Sequence, residues 1–134
     1  MSTDRQVDDS RGRLRALRGA ITADRDAPDA VVSATEELLA ELLERNAVAP
    51  DDIVSIVFTT TADLTSEFPA AAARRLGLDD VPLLCAQEIP VPGSVPRCIR
   101  VLVHLYSPLG RKELKHVYLR EAARLRSDLS NGEG

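Results

Sequence analysis

The chain has 134 residues, 44% of them hydrophobic, and a net charge of −4, which fits one domain and argues against a general nucleic-acid binder with its strong basic excess. Aromatic residues make up only 3% and Trp is absent, so Leu, Val, Ile and Ala must build the core. No run approaches the roughly 20 apolar residues of a membrane-spanning helix, and the polar start lacks the apolar stretch of a secretory leader.

Residues 1–12 are rich in Asp, Arg and Ser and read as a disordered arm before a domain over 13–127. The arginines at 11, 13, 15 and 18 stand near Asp4, Asp8 and Asp9; only Arg18 lies inside an apolar run. Leu14 to Thr22 reads as a first strand. Asp24 to Asp29 is a turn, with Asp29 expected to cap a helix over Ala30 to Arg45. Val31, Ala34, Leu38, Leu39, Leu42 and Leu43 give that helix its apolar face. Glu36, Glu37, Glu41 and Glu44 give it a wet one, and Asn46 a stop.

Ile53 to Thr60 is rich in β-branched residues and reads as a second strand, followed by a polar break over Thr59 to Asp63. Asp63 or Thr65 suits the cap of a short helical turn. Pro69 opens a short Ala-rich helix that runs to Leu76, with Gly77 just past its end. Val81 to Glu88 reads as a third strand and Ile99 to Tyr106 as a fourth, separated by an irregular loop with prolines at 90, 92 and 96. Glu113 to Lys115 suits one helical turn, and His116 to Leu119 a short strand that Ala122 to Leu125 extends. A polar tail over 128–134 closes the chain.

The order β-α-β-α-β-β predicts an α/β (α+β) fold with a mixed sheet and helices on one face. Strands two and four are apolar at both parities, as strands buried on both faces are. Two modest helices cover one face only, so the other is expected to pack on another subunit.

The segment from Cys85 to Arg100 carries the strongest chemical signal. Charged groups in strands that otherwise read as core are costly to bury unless paired or used. Glu88 and Arg100 are therefore either a structural ion pair or the walls of a charged-ligand site. Cys85 and Glu88 have opposite parity in an unbroken strand, so both reach one pocket only if the strand ends or bulges near Gln87. The two cysteines show no CxxC or Cys/His metal spacing and point to reduced thiols in the cytoplasm. His104 and His116 have no metal spacing either.

Several dispersed motifs occur together: Leu17-Arg18-Gly19-Ala20, Asp63-Leu64 with Phe68-Pro69-Ala70, Val81-Pro82 with Cys85-Ala86-Gln87-Glu88, Arg97-Cys98-Ile99-Arg100-Val101, and His116-Val117-Tyr118-Leu119 with Leu125-Arg126. In this order and spacing they resemble the chorismate mutases of the small, monofunctional trimeric class (the AroH type), from about Leu14 to Leu129. The resemblance implies a homotrimer with active sites between subunits. It implies a cofactor-free rearrangement of chorismate to prephenate on the route to Phe and Tyr, with no metal. It implies Arg100 at the breaking ether oxygen, Arg18 and Tyr118 on a substrate carboxylate, and Glu88 with Cys85 at the ring hydroxyl. Phe68 and Arg74 would come from the adjacent subunit, and Leu125 and Arg126 from the closing C-terminal segment. Some members have Pro where this chain has Ala62, and Lys where it has Ala71, which removes one cation from the pocket rim. Two other readings belong beside this one. One is a trimeric enzyme resembling the reactive-imine deaminases, which gives no reason for Glu88. The other is a non-catalytic dicarboxylate-binding regulatory module.

Overall fold

The computed structural model describes residues 11–125; residues 1–10 of the expected arm over 1–12, the tail and Arg126 lie outside them. Five strands are present: β1 (Arg13–Thr22), β2 (Ile53–Thr60), β3 (Leu83–Gln87), β4 (Cys98–Ser107) and β5 (Val117–Tyr118). They form one mixed sheet in the order β3-β2-β4-β1-β5. β4 runs antiparallel to both β1 and β2, while β3 is parallel to β2 and β5 is parallel to β1. Parallel neighbours need a crossover. Between β2 and β3 it is supplied by helix α2 (Ala70–Arg75), preceded by Pro69 and followed by Gly77 at φ +80.

Helix α1 (Pro28–Arg45) buries Val31, Val32, Ala34, Thr35, Leu38, Leu39 and Leu42, the stripe expected from their spacing. Its start differs from the sequence expectation. Pro28 occupies the first turn and Ala27 the cap position, with no side-chain cap. Proline needs no partner for a missing N–H and arrives with a helical φ. Asp29 lies instead in the first turn, its carboxylate 2.8 Å from Arg25. Neither Asp63 nor Thr65 caps a helix: Asp63 accepts from Thr61 and from the Arg97 N–H, and Thr65 donates to Asp26.

The helix-facing side of the sheet carries Leu17 and Ile21 of β1, Ile56 and Phe58 of β2, and Ile99, Val101, Val103 and Leu105 of β4, all buried. α1 and α2 pack on this side, so one layer of helices covers one face of the sheet. The opposite side presents Leu14, Ala16 and Arg18 of β1, Val57 and Thr59 of β2, and Arg100, Leu102, His104 and Tyr106 of β4. A bulge between Ile53 and Ser55 sets this pattern on β2. The extra residue reverses the alternation, so Val57 and Thr59 face outward opposite Leu102 and Arg100.

Three short elements differ from expectation. β3 spans Leu83–Gln87, so Glu88 lies just past its end. Residues 111–113 form a turn, with Leu114 and Lys115 beyond it, in place of one helical turn over 113–115. Ala122 to Leu125 does not extend the sheet. The ladder ends where the Leu119 N–H donates to the Ala20 carbonyl, and a 3₁₀ turn follows over Arg120–Ala122. Arg120 adopts φ +55 there, and its guanidinium donates to the Thr22 carbonyl at 3.0 Å and to Glu37 at 2.8 Å. These bonds turn the chain away from the sheet edge.

Candidate active site

Arg18 and Arg100 sit on the uncovered face of two adjacent strands. Arg100 is in register with Ala20 of β1 and Thr59 of β2, and Arg18 with Leu102. β5 adds Tyr118 beside Ala20. The chain after β3 adds Glu88, whose N–H donates to the Thr60 carbonyl at 2.8 Å. Four separate segments thus deliver Arg18, Arg100, Tyr118 and Glu88 to one concavity of about 310 Å³, which Gly19, Val57, Thr59, Val101 and Leu102 complete.

Glu88 is the single carboxylate among the described residues lining that concavity, against two guanidinium groups. Its Oε2 lies 3.4 Å from Arg100 Nε. The same oxygen accepts the Thr59 hydroxyl. Glu88 and Arg100 touch as an ion pair, and both side chains line the same concavity. A pair this exposed contributes little to stability, and its chief effect is orientation.

The entry of β4 is held from several sides, which fixes where Arg100 starts. The Arg97 N–H donates to Asp63 at 2.9 Å and its Nε to the Ala23 carbonyl at 3.1 Å. The Cys98 N–H donates to the Thr61 hydroxyl at 2.9 Å. Arg97 takes φ +50, a conformation that needs such bonds to persist in a non-glycine residue. Burial pushes the Cys98 thiol up from its ordinary value, against the pull of nearby Arg100. Both cysteines are free thiols.

The remaining sequence-predicted residues lie elsewhere. Cys85 pairs with Phe58, so it faces the helix layer and packs against the main core. It lines a second concavity of about 350 Å³ with Phe68, Ser66, Glu67, Ala86 and Gln87, among others. β3 ends at Gln87, yet Cys85 and Glu88 keep the opposite parity of an unbroken strand: Cys85 faces the helix layer, Glu88 reaches the open face, and they line different concavities. Phe68 is 67% exposed. Arg74 lies in the last turn of α2, is exposed and lines neither concavity. Leu125 packs beside Tyr118 against a small cluster of Ala20, Val95, Cys98 and Ala122.

Thr59 was not singled out by the sequence, which offered it only as part of a polar run. Its alternation with Val57 was the available signal, and the bulge in β2 hides which face that alternation selects.

Taken together, the open-face concavity offers two planar cations, a phenol and one carboxylate. It can hold a di-anionic molecule and oppose negative charge that develops on an oxygen. It presents no serine or cysteine nucleophile, and no group of three or more metal-ligating side chains occurs among the described residues.

Residues 14–129 match the family described as chorismate mutase type I. The chain is 50% identical over 121 residues to the chorismate mutase AroH of Thermus thermophilus, covering 90% of this chain and 99% of that one. It is 38% identical over 118 residues to the chorismate mutase AroH of Bacillus subtilis strain 168, covering 87% and 93%. Among solved structures, a chorismate mutase from Clostridium thermocellum superposes with a TM-score of 0.81 at 45% identity, covering 82% of this chain and 98% of that chain.

Proposed function

The chain belongs to the chorismate mutase type I family and is a chorismate mutase; from that premise we propose that Arg18, Arg100, Glu88 and Tyr118 are one chain's share of an active site that a neighbouring copy completes. The deaminase-like and non-catalytic readings give way to the family match.

Chorismate carries two carboxylates, a ring hydroxyl and an enolpyruvyl ether. Its rearrangement breaks the ether C–O bond while the pyruvyl methylene bonds to the ring. Six electrons shift together, and no proton, nucleophile or cofactor takes part. Catalysis then rests on holding the enolpyruvyl arm over the ring and on opposing the charge that grows on the ether oxygen.

Arg100 supplies the second function. Its guanidinium stays charged in a dry site, and Glu88 holds it at Nε, which leaves the terminal nitrogens for the ether oxygen and a carboxylate. Arg18 and Tyr118 hold a substrate carboxylate. Glu88 faces the ring hydroxyl and tolerates a ring that becomes electron-poor. The observation that carries this reading is the convergence of these four side chains, from four segments, on one concavity of the right charge.

A homotrimer supplies what one chain lacks. Phe68 and Arg74 reach the concavity from the adjacent subunit, and Cys85 arrives with Phe68 because the two share a cavity. Leu125 and Arg126 close the site from the C-terminal segment. Supporting this, the uncovered face exposes Leu14, Leu84 and Tyr106. The catalytic domain is residues 13–127, and its free thiols suit the cytoplasm.

The test follows the loss of chorismate absorbance with purified protein. Wild type accelerates the reaction over buffer, and Arg100→Ala lowers kcat by at least about 10²-fold, the effect of removing one oxyanion donor. Equal rates for wild type and Arg100→Ala would sink the assignment.

A further inference from the structure

We propose that Thr59 is a positioning residue for the rearrangement, acting through Glu88 to hold Arg100. It rests on the reading above, in which Glu88 and Arg100 meet the substrate.

The geometry is a three-way convergence. The Thr59 hydroxyl donates to Glu88 Oε2, and that oxygen also lies 3.4 Å from Arg100 Nε. Thr59 and Arg100 are register partners across β2 and β4, and Glu88 is tied to the adjacent Thr60 through its backbone. Thr59 itself lines the concavity.

Glutamate has a long side chain, and its terminal torsion is soft, so a carboxylate beyond a strand end needs a fixed donor to keep one orientation. Threonine is suited to be that donor. It is β-branched and stiff at χ1, and a strand fixes its backbone. With Oε2 engaged by Thr59 and Arg100, Oε1 and the two terminal guanidinium nitrogens become the atoms that meet the ligand. Thr59 thereby sets the aim of the cation without touching the reacting atoms.

The experiment compares wild type, Thr59→Val, Thr59→Ser, Glu88→Ala and the Thr59→Val/Glu88→Ala double variant by kcat and KM. Thr59→Val keeps shape and strand preference but removes the hydroxyl. It lowers kcat by about tenfold to a hundredfold, the scale of one hydrogen bond to a charged group, with KM changed less. Thr59→Ser restores most of the rate. In the Glu88→Ala background, Thr59→Val has no further effect, because the group it acts through is gone. Thr59→Ala gives a second hydroxyl-free variant, and it shows the same loss should the valine side chain disturb the fold. An equal loss from Thr59→Val with or without Glu88, or full activity in Thr59→Val beside an impaired Glu88→Ala, overturns the positioning role. Full activity in Glu88→Ala instead removes the reading of Glu88 itself and the inference with it.

Discussion

Gly19 sets the distance between the sheet and α1 by having no side chain. A Cβ there would lie 2.8 Å from Leu42 Cδ1 and 3.1 Å from Leu38 Cδ1. The residue sits between Arg18, which lines the open-face concavity, and Ala20, which pairs with Tyr118, so any shift is felt in that concavity. Gly19→Ala overpacks this contact and is expected to lower stability by about 1 kcal/mol, since the leucine ends can give way in part. Urea unfolding at fixed chain concentration measures it, and an unchanged midpoint would mean α1 accommodates the methyl. Arg97 makes the opposite kind of point. Its side chain is retained at positive φ because its guanidinium and N–H hold β4 to Ala23 and Asp63.

Between elements, the decisive ties are polar and buried. Asn46 follows α1, is only 3% exposed, and donates to the Leu42 and Lys115 carbonyls, both at 2.9 Å. Its side-chain oxygen accepts the Lys115 N–H at 2.7 Å. The sequence marked Asn46 as a helix stop; it is also the clamp that brings the segment before β5 against the end of α1. Asn46→Ala leaves both Lys115 backbone groups without this partner. It is expected to cost about 2 kcal/mol, because an unsatisfied buried group costs more than a made bond contributes. Thermal or urea unfolding reads the loss. Since β5 carries Tyr118, KM for chorismate is expected to rise as well. Arg120 plays a similar part beyond β5, anchoring the chain that leads to Leu125 on Thr22 and Glu37.

As a whole, the molecule is a two-layer structure with one sheet face left open. The open side of β2 and β4 carries Val57, Leu102 and Tyr106 among Thr59, Arg100 and His104, and helices cover only the other side. Water against Leu14, Leu84 and Tyr106 is unfavourable, and the homotrimer proposed above would remove it with a second layer. Light scattering is expected to give a mass about three times the 14.5 kDa of one chain. A mass near one chain would sink the inter-subunit site, while leaving the roles of Arg100 and Glu88 open to the kinetic tests. The exposed Phe68 belongs to the same proposal, in which the boundary with a neighbouring copy covers it.

How far the sequence reached follows from what is local. The α1 stripe, the β-branched run of β2, Pro69 before α2 and the apolar run of β4 each reflect forces acting within a few residues, and each was legible. So was the list of charged residues out of place in core strands, Arg18, Glu88 and Arg100. Three matters depended on non-local contacts. The bulge between Ile53 and Ser55 decides which side of β2 faces the site, because a one-residue slip inverts a strand with apolar residues at both parities. The pairing of Cys85 with Phe58 sets the register of β3, which puts Cys85 on the helix side and Glu88, by alternation, on the open one. The turn at Arg120 depends on Thr22 and Glu37, both distant in the chain. The sequence by itself therefore determined most of the elements, the family resemblance and the charged residues that line the open-face concavity. Only the tertiary structure decided which of them share a cavity, because strand register and strand ends are set by partners that sequence spacing does not name.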